Sequence, residues 1–146
     1  MAVTVRKATP ADAAAVAELI DELARTGDWE SPVTQAYAAE YLASSGQGVL
    51  LAEEEGEPLG LISYSFRPNL YHAADSCLIE ELIVRQRARG RGVGRALIEA
   101  LDRLAAARRC AEISVTTLPK NKAAIAFYRR LGFTDEALYL EKHLED

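Results

Sequence analysis

The chain has 146 residues, 49% of them hydrophobic and 27% charged, the composition of one soluble globular domain with its own core. Its formal charge of −5 argues against general nucleic-acid binding and favours small cationic partners. It contains no apolar run of about 18 residues and no signal-peptide core, so the expectation is a cytoplasmic chain without a membrane span.

Residues 2–8, "AVTVRKA", alternate as a first strand does. A helix start follows, with Thr9 as N-cap, Pro10 at the first helical position and Asp12 at the third. Val16, Leu19, Ile20 and Leu23 form its apolar stripe, and Gly27 follows its end. Ser31–Pro32 reads as a second start, opening a helix with Tyr37, Tyr41 and Leu42 on one side. The loop between these helices carries Asp28, Trp29 and Glu30. Two strand-like runs then flank Glu55–Gly56, a hairpin signal. A loop from Arg67 to Ser76 leads into a strand, "CLIEELIV", from Cys77 to Val84. A glycine-rich turn precedes a helix from Val93 to Ala107, on which Glu99 and Arg103 are spaced as an i,i+4 pair. Another strand at residues 111–117, a short helix from about Asn121 to Leu131 and a last strand at residues 137–144 complete the chain. One α/β (α+β) domain over residues 1–146 is expected.

Cys77 and Cys110 lack metal spacing and read as small core hydrophobes, while His72 and His143 match no zinc motif, so no metal is expected. The turn is where chemistry concentrates. Gly90, Gly92 and Gly94 alternate among Arg87, Arg89, Arg91 and Arg95 at the mouth of a helix, where glycine is a poor helix former. Exposed amides and arginines at the positive end of a helix dipole are suited to an anion. A Walker loop is excluded for want of a Lys–Ser/Thr pair. A dinucleotide fingerprint fails as well, because its third glycine would fall at Arg95. A tight strand-to-helix turn that binds nothing is the plain alternative.

The run Arg89-Gly90-Arg91-Gly92-Val93-Gly94 resembles the R/Q-x-x-G-x-G/A signature of the GNAT acetyltransferase superfamily. A second segment is similar to that family's N-x-x-A-x-x-F-Y-x-x-x-G-F pattern, in Asn121, Ala124, Phe127, Tyr128, Gly132 and Phe133. The likeness runs from about Leu78 to Phe133, with Gln86 standing where the family often has proline. It implies a mixed central sheet of about six to seven strands flanked by about four helices. It also implies acetyl-CoA as co-substrate, held by Leu82, Ile83, Val84, Arg89, Gly90, Arg91, Gly92, Val93, Gly94, Arg95, Asn121 and Tyr128. A homodimer is a further implication.

Glu80 and Glu81 sit inside an otherwise apolar strand, and "IEELIV" is similar to "LEDFFV" of polyamine acetyltransferases, a likeness that aligns Glu80 with their base-type glutamate and Glu81 with a neighbouring acid. A carboxylate there, directly or through water, can take a proton from an ammonium of pKa about 10.4. Period-2 geometry points the two to opposite faces, so the sequence does not choose between them. Tyr128 stands at the family's general-acid position, where a phenol would return a proton to the leaving thiolate. For the acceptor, candidates are Asp28, Trp29 and Glu30 on one loop and Tyr71 and His72 on another, with Tyr64 and Tyr139 as further aromatic walls. The expected function is direct transfer of an acetyl group to a primary amine of a small cationic molecule in a ternary complex. A non-catalytic acyl-CoA-binding regulatory module and a protein amine as acceptor are the alternatives.

Overall fold

The two-residue turn at Glu55–Gly56, both with positive φ (52° and 77°), matches the twist of a hairpin and sets the register Glu54↔Glu57. Around it the computed structural model, which describes residues 2–144, builds a five-stranded sheet in the order β1-β2-β3-β4-β5. The strands are β1 (Thr4–Lys7), β2 (Gln47–Glu54), β3 (Glu57–Asn69), β4 (Ala74–Val84) and β5 (Glu112–Val115). The first four pair antiparallel in succession, and β5 runs parallel to β4. The helices are α1 (Ala13–Thr26), α2 (Gln35–Ala43), α3 (Val93–Ala107) and α4 (Lys122–Arg130).

Each face of the sheet carries its own core. On one side Leu50, Ala52, Ile62, Tyr64, Cys77 and Ile79 pack against Val93, Leu97, Ile98 and Leu101 of α3. On the other Val49, Leu51, Leu61 and Ile83 pack against Val16 and Leu19 of α1 and Ala38 and Leu42 of α2. Adjacent strand residues alternate between these two clusters, as the pleat requires. No helix among the described residues is long and apolar enough to cross a membrane.

Five expectations are corrected. The sheet among the described residues has five strands rather than six or seven, because residues 137–144 form no strand and pair with none. The second helix starts later than Ser31–Pro32. Thr34 caps it, its hydroxyl accepting the Tyr37 N–H at 3.0 Å, because Pro32 and the β-branched Val33 favour extended backbone ahead of the helix-forming run "QAYAAEYLA". The supposed loop at residues 67–76 is mostly hairpin: β3 and β4 stay paired down to Asn69↔Ala74, leaving a four-residue turn. Pro68 is tolerated there since β2 has already ended and that edge needs no donor. Glu99 pairs one turn back, with Arg95 at 3.4 Å, rather than with Arg103. Leu23, assigned to the core stripe of α1, is 39% exposed and faces a cleft.

The entry to α1 is tied down by charge. The Asp12 carboxylate accepts the Thr9 N–H at 2.8 Å, and Arg6 on β1 forks between Asp12 (2.8 Å) and Glu53 of β2 (2.6 Å). Hydrogen bonding from Arg6 holds the Asp12 carboxyl down at about 2. A carboxyl depressed on folding stabilises the fold above its unfolded value and loses that contribution as pH falls through the folded one. Thermal unfolding across the acid range tests this link. Asp12→Asn is expected to be less stable than wild type by about 1–2 kcal/mol at neutral pH. The gap should close as pH falls from about 4 toward 2; a gap independent of pH would contradict the assignment.

Candidate active site

The first helical bond of α3 runs from Ala96 N–H to the Gly92 carbonyl, so the amides of Val93, Gly94 and Arg95 precede the helix's own acceptors. Gly92 is the N-cap with φ +81°, and Gly90 has φ +77°; a Cβ on either would meet nothing within 4 Å. Both face open space with a backbone that only glycine adopts readily, which suits close approach of an anionic group. Gly94 differs. A Cβ there would lie 3.3 Å from the Phe127 ring of α4, so it is small for helix packing.

The arginines divide their labour. Arg87 and Arg91 form ion pairs with Glu57 and Glu54 on the β2–β3 hairpin, and Arg89 donates through Nε to the Val84 carbonyl at 3.2 Å. Arg89 and Arg95 line the cleft beside the turn, whereas Arg91 does not. Much of the positive charge around this turn is therefore committed to holding it against the sheet.

That cleft, about 600 Å³, is walled by Leu82, Ile83 and Val84 of β4, by the α3 mouth, by Phe127 and Tyr128 of α4, and by Glu22, Leu23 and Thr26 of α1. It exists because β4 and β5 part company. Their parallel pairing ends at Ile79↔Val115, while β4 continues five residues to Val84 bonded only to β3. The N–H and C=O groups of that unpaired edge are presented to an extended ligand.

At the parting point lies a β-bulge. Ser63 pairs with Glu81 and Tyr64 with Ile79, so Glu80 is the extra residue. The bulge overrides the alternation that would send the two glutamates to opposite faces. Ser63 and Ser65, two apart on one face of β3, receive them both: the Ser63 hydroxyl donates to Glu81, and Ser65 Oγ donates to Glu80 Oε2 at 3.0 Å. Ser63 is buried and also accepts the Glu81 N–H at 2.9 Å, which fixes that carboxylate's backbone and side chain together. Both carboxylates thus lie on the side of the sheet that carries α1 and α2. There the Tyr41 phenol is pushed up to about 12, first by burial and then by the charges of Glu81 and Glu80. Tyr37, one turn earlier on α2, adds to the same surroundings.

Tyr128 is half-buried in the cleft wall, with its ring edge-on to Phe127 (5.2 Å) and Phe133 (5.5 Å). Burial raises its phenol above the ordinary value, so it remains protonated through neutral pH. Asn121 serves as the N-cap of α4, accepting the Ala124 N–H at 3.1 Å, and is absent from the cleft wall. Cys77 is buried and its thiol is pushed up to about 12 by burial, which makes it a core hydrophobe rather than a nucleophile.

The acceptor-side candidates fall in different parts of the structure. Tyr71 and His72 lie at the tip of the β3–β4 hairpin, roughly 30 Å along β4 from the α3 end, because the hairpin is longer than the sequence suggested. Tyr64 is buried on the opposite face, beneath Gly48, and Tyr139 lies on the C-terminal tail. Asp28, Trp29 and Glu30 are exposed just beyond Thr26, near the cleft mouth, with the Trp29 N–H bonded to the Ala24 carbonyl at 3.0 Å. The sequence reading missed Ser63, Ser65 and Tyr41 as site residues. Their signal was two serines at alternate positions in the apolar run "GLISYSF", opposite a strand bearing two acids.

A profile of the acetyltransferase (GNAT) family matches residues 15–133. The chain belongs to that family. It is a GNAT acetyltransferase, an enzyme class that uses acetyl-CoA as co-substrate, and its relatives modify amines. The aminoglycoside N(6')-acetyltransferase type 1 of Stenotrophomonas maltophilia is 31% identical over 97% of this chain and 94% of that protein. The L-2,4-diaminobutyric acid acetyltransferase of Halomonas elongata is 29% identical over 88% of this chain, which spans 64% of that protein. Among solved structures, an aminoglycoside acetyltransferase from an uncultured soil metagenomic sample superposes with a TM-score of 0.84 at 28% identity, covering 99% of this chain and all of that one (100%).

In this GNAT fold the two kinds of glycine are separable. Gly94→Val would press on Phe127 and is expected to lower stability by about 1–3 kcal/mol, read as a lower Tm in calorimetry. An unchanged Tm would show that α4 does not rest on this turn.

Proposed function

We propose that this GNAT enzyme transfers the acetyl group of acetyl-CoA directly to a primary amine of a small polycationic molecule. The observation that carries the reading is the opening of β4 from Glu80 to Val84. That strand carries the two carboxylates at its bulge and, from Leu82 to Val84, an unpaired edge that shares the cleft wall with the protonated Tyr128 phenol. The residues present fit the co-substrate. Gly90 and Gly92 leave the α3 amides open to a diphosphate, with Arg89 and Arg95 beside them. The edge of Leu82, Ile83 and Val84 suits an extended amide-bearing arm. Bound acetyl-CoA supplies a thioester carbonyl activated toward nucleophiles.

The chain's own residues then account for the proton movements. Glu81, held by Ser63, accepts a proton from the substrate ammonium, directly or through a water; this turns a non-nucleophilic cation into an amine able to attack. Glu80, more exposed and held by Ser65, supplies a second negative charge for a cationic substrate. A β4 amide in the opened segment polarises the carbonyl being attacked. The Tyr128 hydroxyl, kept protonated by its burial, returns a proton to the departing thiolate. Support for the substrate class comes from the two serine-held carboxylates, whose charges also reach Tyr41, an environment favourable to positive charge.

Two experiments test this reading. In a thiol-release assay with acetyl-CoA, polyamines, diamino acids and aminoglycosides are the amines expected to turn over. Gly92→Leu should weaken coenzyme binding at least about tenfold by calorimetry, because its side chain adds bulk and backbone strain beside the open amides. Tight coenzyme binding with no turnover of any amine would instead favour a regulatory acyl-CoA-binding module. In the second, Tyr128→Phe is expected to lower kcat by about 10²-fold or more with coenzyme affinity little changed, since only proton transfer is lost. Glu81→Gln should likewise depress kcat, whereas Glu80→Gln should act mainly on KM for the amine. Equal effects of the two glutamine variants on kcat would refute the division of roles.

A further inference from the structure

A small cavity that the proton chemistry does not use lies beyond the end of β4. It measures about 370 Å³, is lined by Glu22, Arg85, Gln86 and Arg87, and meets the larger cleft at Glu22, which stands in both walls. The chain joins the two spaces as well. Val84 and the run from Ala88 to Gly90 line the cleft, and residues 85–87 between them line the small cavity.

Its charges are already committed. Arg85 donates through Nε to the Pro58 carbonyl at 2.9 Å and stands 3.3 Å from Glu18 and 3.6 Å from Glu22. Arg87 is paired with Glu57. Two arginines against three carboxylates leave a negative balance, so a phosphate does not suit this place. A neutral planar group does, because guanidinium faces held by carboxylates are platforms for an aromatic ring. Glu22 is also short of a donor: its Oε2 accepts no hydrogen bond among the described residues, and 3.6 Å from Arg85 is beyond hydrogen-bond reach. Between the two arginines, Gln86 keeps an exposed side-chain amide, with donor and acceptor side by side. The local fold does not ask for a glutamine. Arg85 before it is extended (φ −55°, ψ 142°) and Gln86 opens a short 3₁₀ turn, a position suited to the proline often found there in the family.

We propose that this cavity is a purine subsite for the adenine of the coenzyme, and that Gln86 is the residue that reads the base. The inference rests on the reading of the cleft as the coenzyme site. With the extended arm along Leu82 to Val84 and the diphosphate at the α3 mouth, the nucleoside falls beyond the end of β4, where the cavity lies. A glutamine amide is complementary to the edge of adenine that sets a ring nitrogen beside the exocyclic amine. It donates to the first and accepts from the second. The other hydrogen of that amine is a donor of the kind that the Glu22 carboxylate lacks. Hypoxanthine, with an oxygen in place of the amine, offers neither bond.

Binding calorimetry with coenzyme A, its hypoxanthine counterpart and phosphopantetheine, which lacks the nucleoside, tests the assignment. The wild type is expected to bind coenzyme A about tenfold more tightly than the hypoxanthine form. Gln86→Pro, which the backbone accommodates, should weaken coenzyme A by about the same factor and erase the difference between the two bases. Its affinity for phosphopantetheine and its Tm should match those of the wild type. Should the proline variant melt lower, Gln86→Ala is read in its place. Equal wild-type affinity for the two bases, or an equal loss on all three ligands in the variant, would overturn the adenine subsite and leave the coenzyme cleft standing. Binding of none of the three by the wild type would remove the cleft reading and this inference with it.

Discussion

One extra residue in β4 governs the site. Inserting Glu80 between Ile79 and Glu81 slips the ladder with β3, and it does so where the parallel pairing with β5 ends. A bulge increases local twist and bends its strand. Beyond it, β4 remains bonded to β3 but turns its other edge to a cleft. The same slip delivers both glutamates to the face carrying α1 and α2. An isolated carboxylate in the interior of a sheet is expensive to desolvate. Here each has a serine hydroxyl beside it, and Glu80 is exposed while Glu81 is half-buried.

The glycine turn at the mouth of α3 shows how a local motif depends on distant charge. Arginines at the positive end of a helix dipole repel it and one another. The β2–β3 hairpin answers with Glu54 and Glu57, which bind Arg91 and Arg87 and brace the turn against the sheet. Arg89, donating to the Val84 carbonyl, links the cradle to the end of the opened strand. Arg85 continues the brace on the other layer. It reaches Glu18 and Glu22 of α1 at 3.3 and 3.6 Å while donating to the Pro58 carbonyl at 2.9 Å. The walls of the cleft are thus held by ion pairs that converge on the C-terminal end of β4.

Charge also shapes the face that α2 covers. Glu80 and Glu81 are held side by side there by Ser65 and Ser63, and their charges add to burial in raising the Tyr41 phenol. The proposed preference for a cationic amine rests on that pair of carboxylates.

The sequence by itself determined what depends on neighbours in the chain. The hairpin at Glu55–Gly56, the Thr9–Asp12 helix entry, the span of α3 and the open glycines at its mouth follow from turn chemistry, capping and periodicity over a few residues. The cleft wall from Leu82 to Val84 and the placement of Tyr128 were legible through the family pattern. Tertiary structure decided the rest. A bulge is a relation between two strands, so the shared face of Glu80 and Glu81 could not be read from β4 alone. The serines that hold them are some 15 to 18 residues away along the chain, and Tyr41 comes from another layer. The length of the β3–β4 hairpin, which carries Tyr71 and His72 away from the cleft, depends on pairing that extends beyond the local turn signals. Alternation at residues 137–144 reads as a strand in the sequence, yet no strand forms there among the described residues, because a pattern within one segment does not specify an edge to receive it.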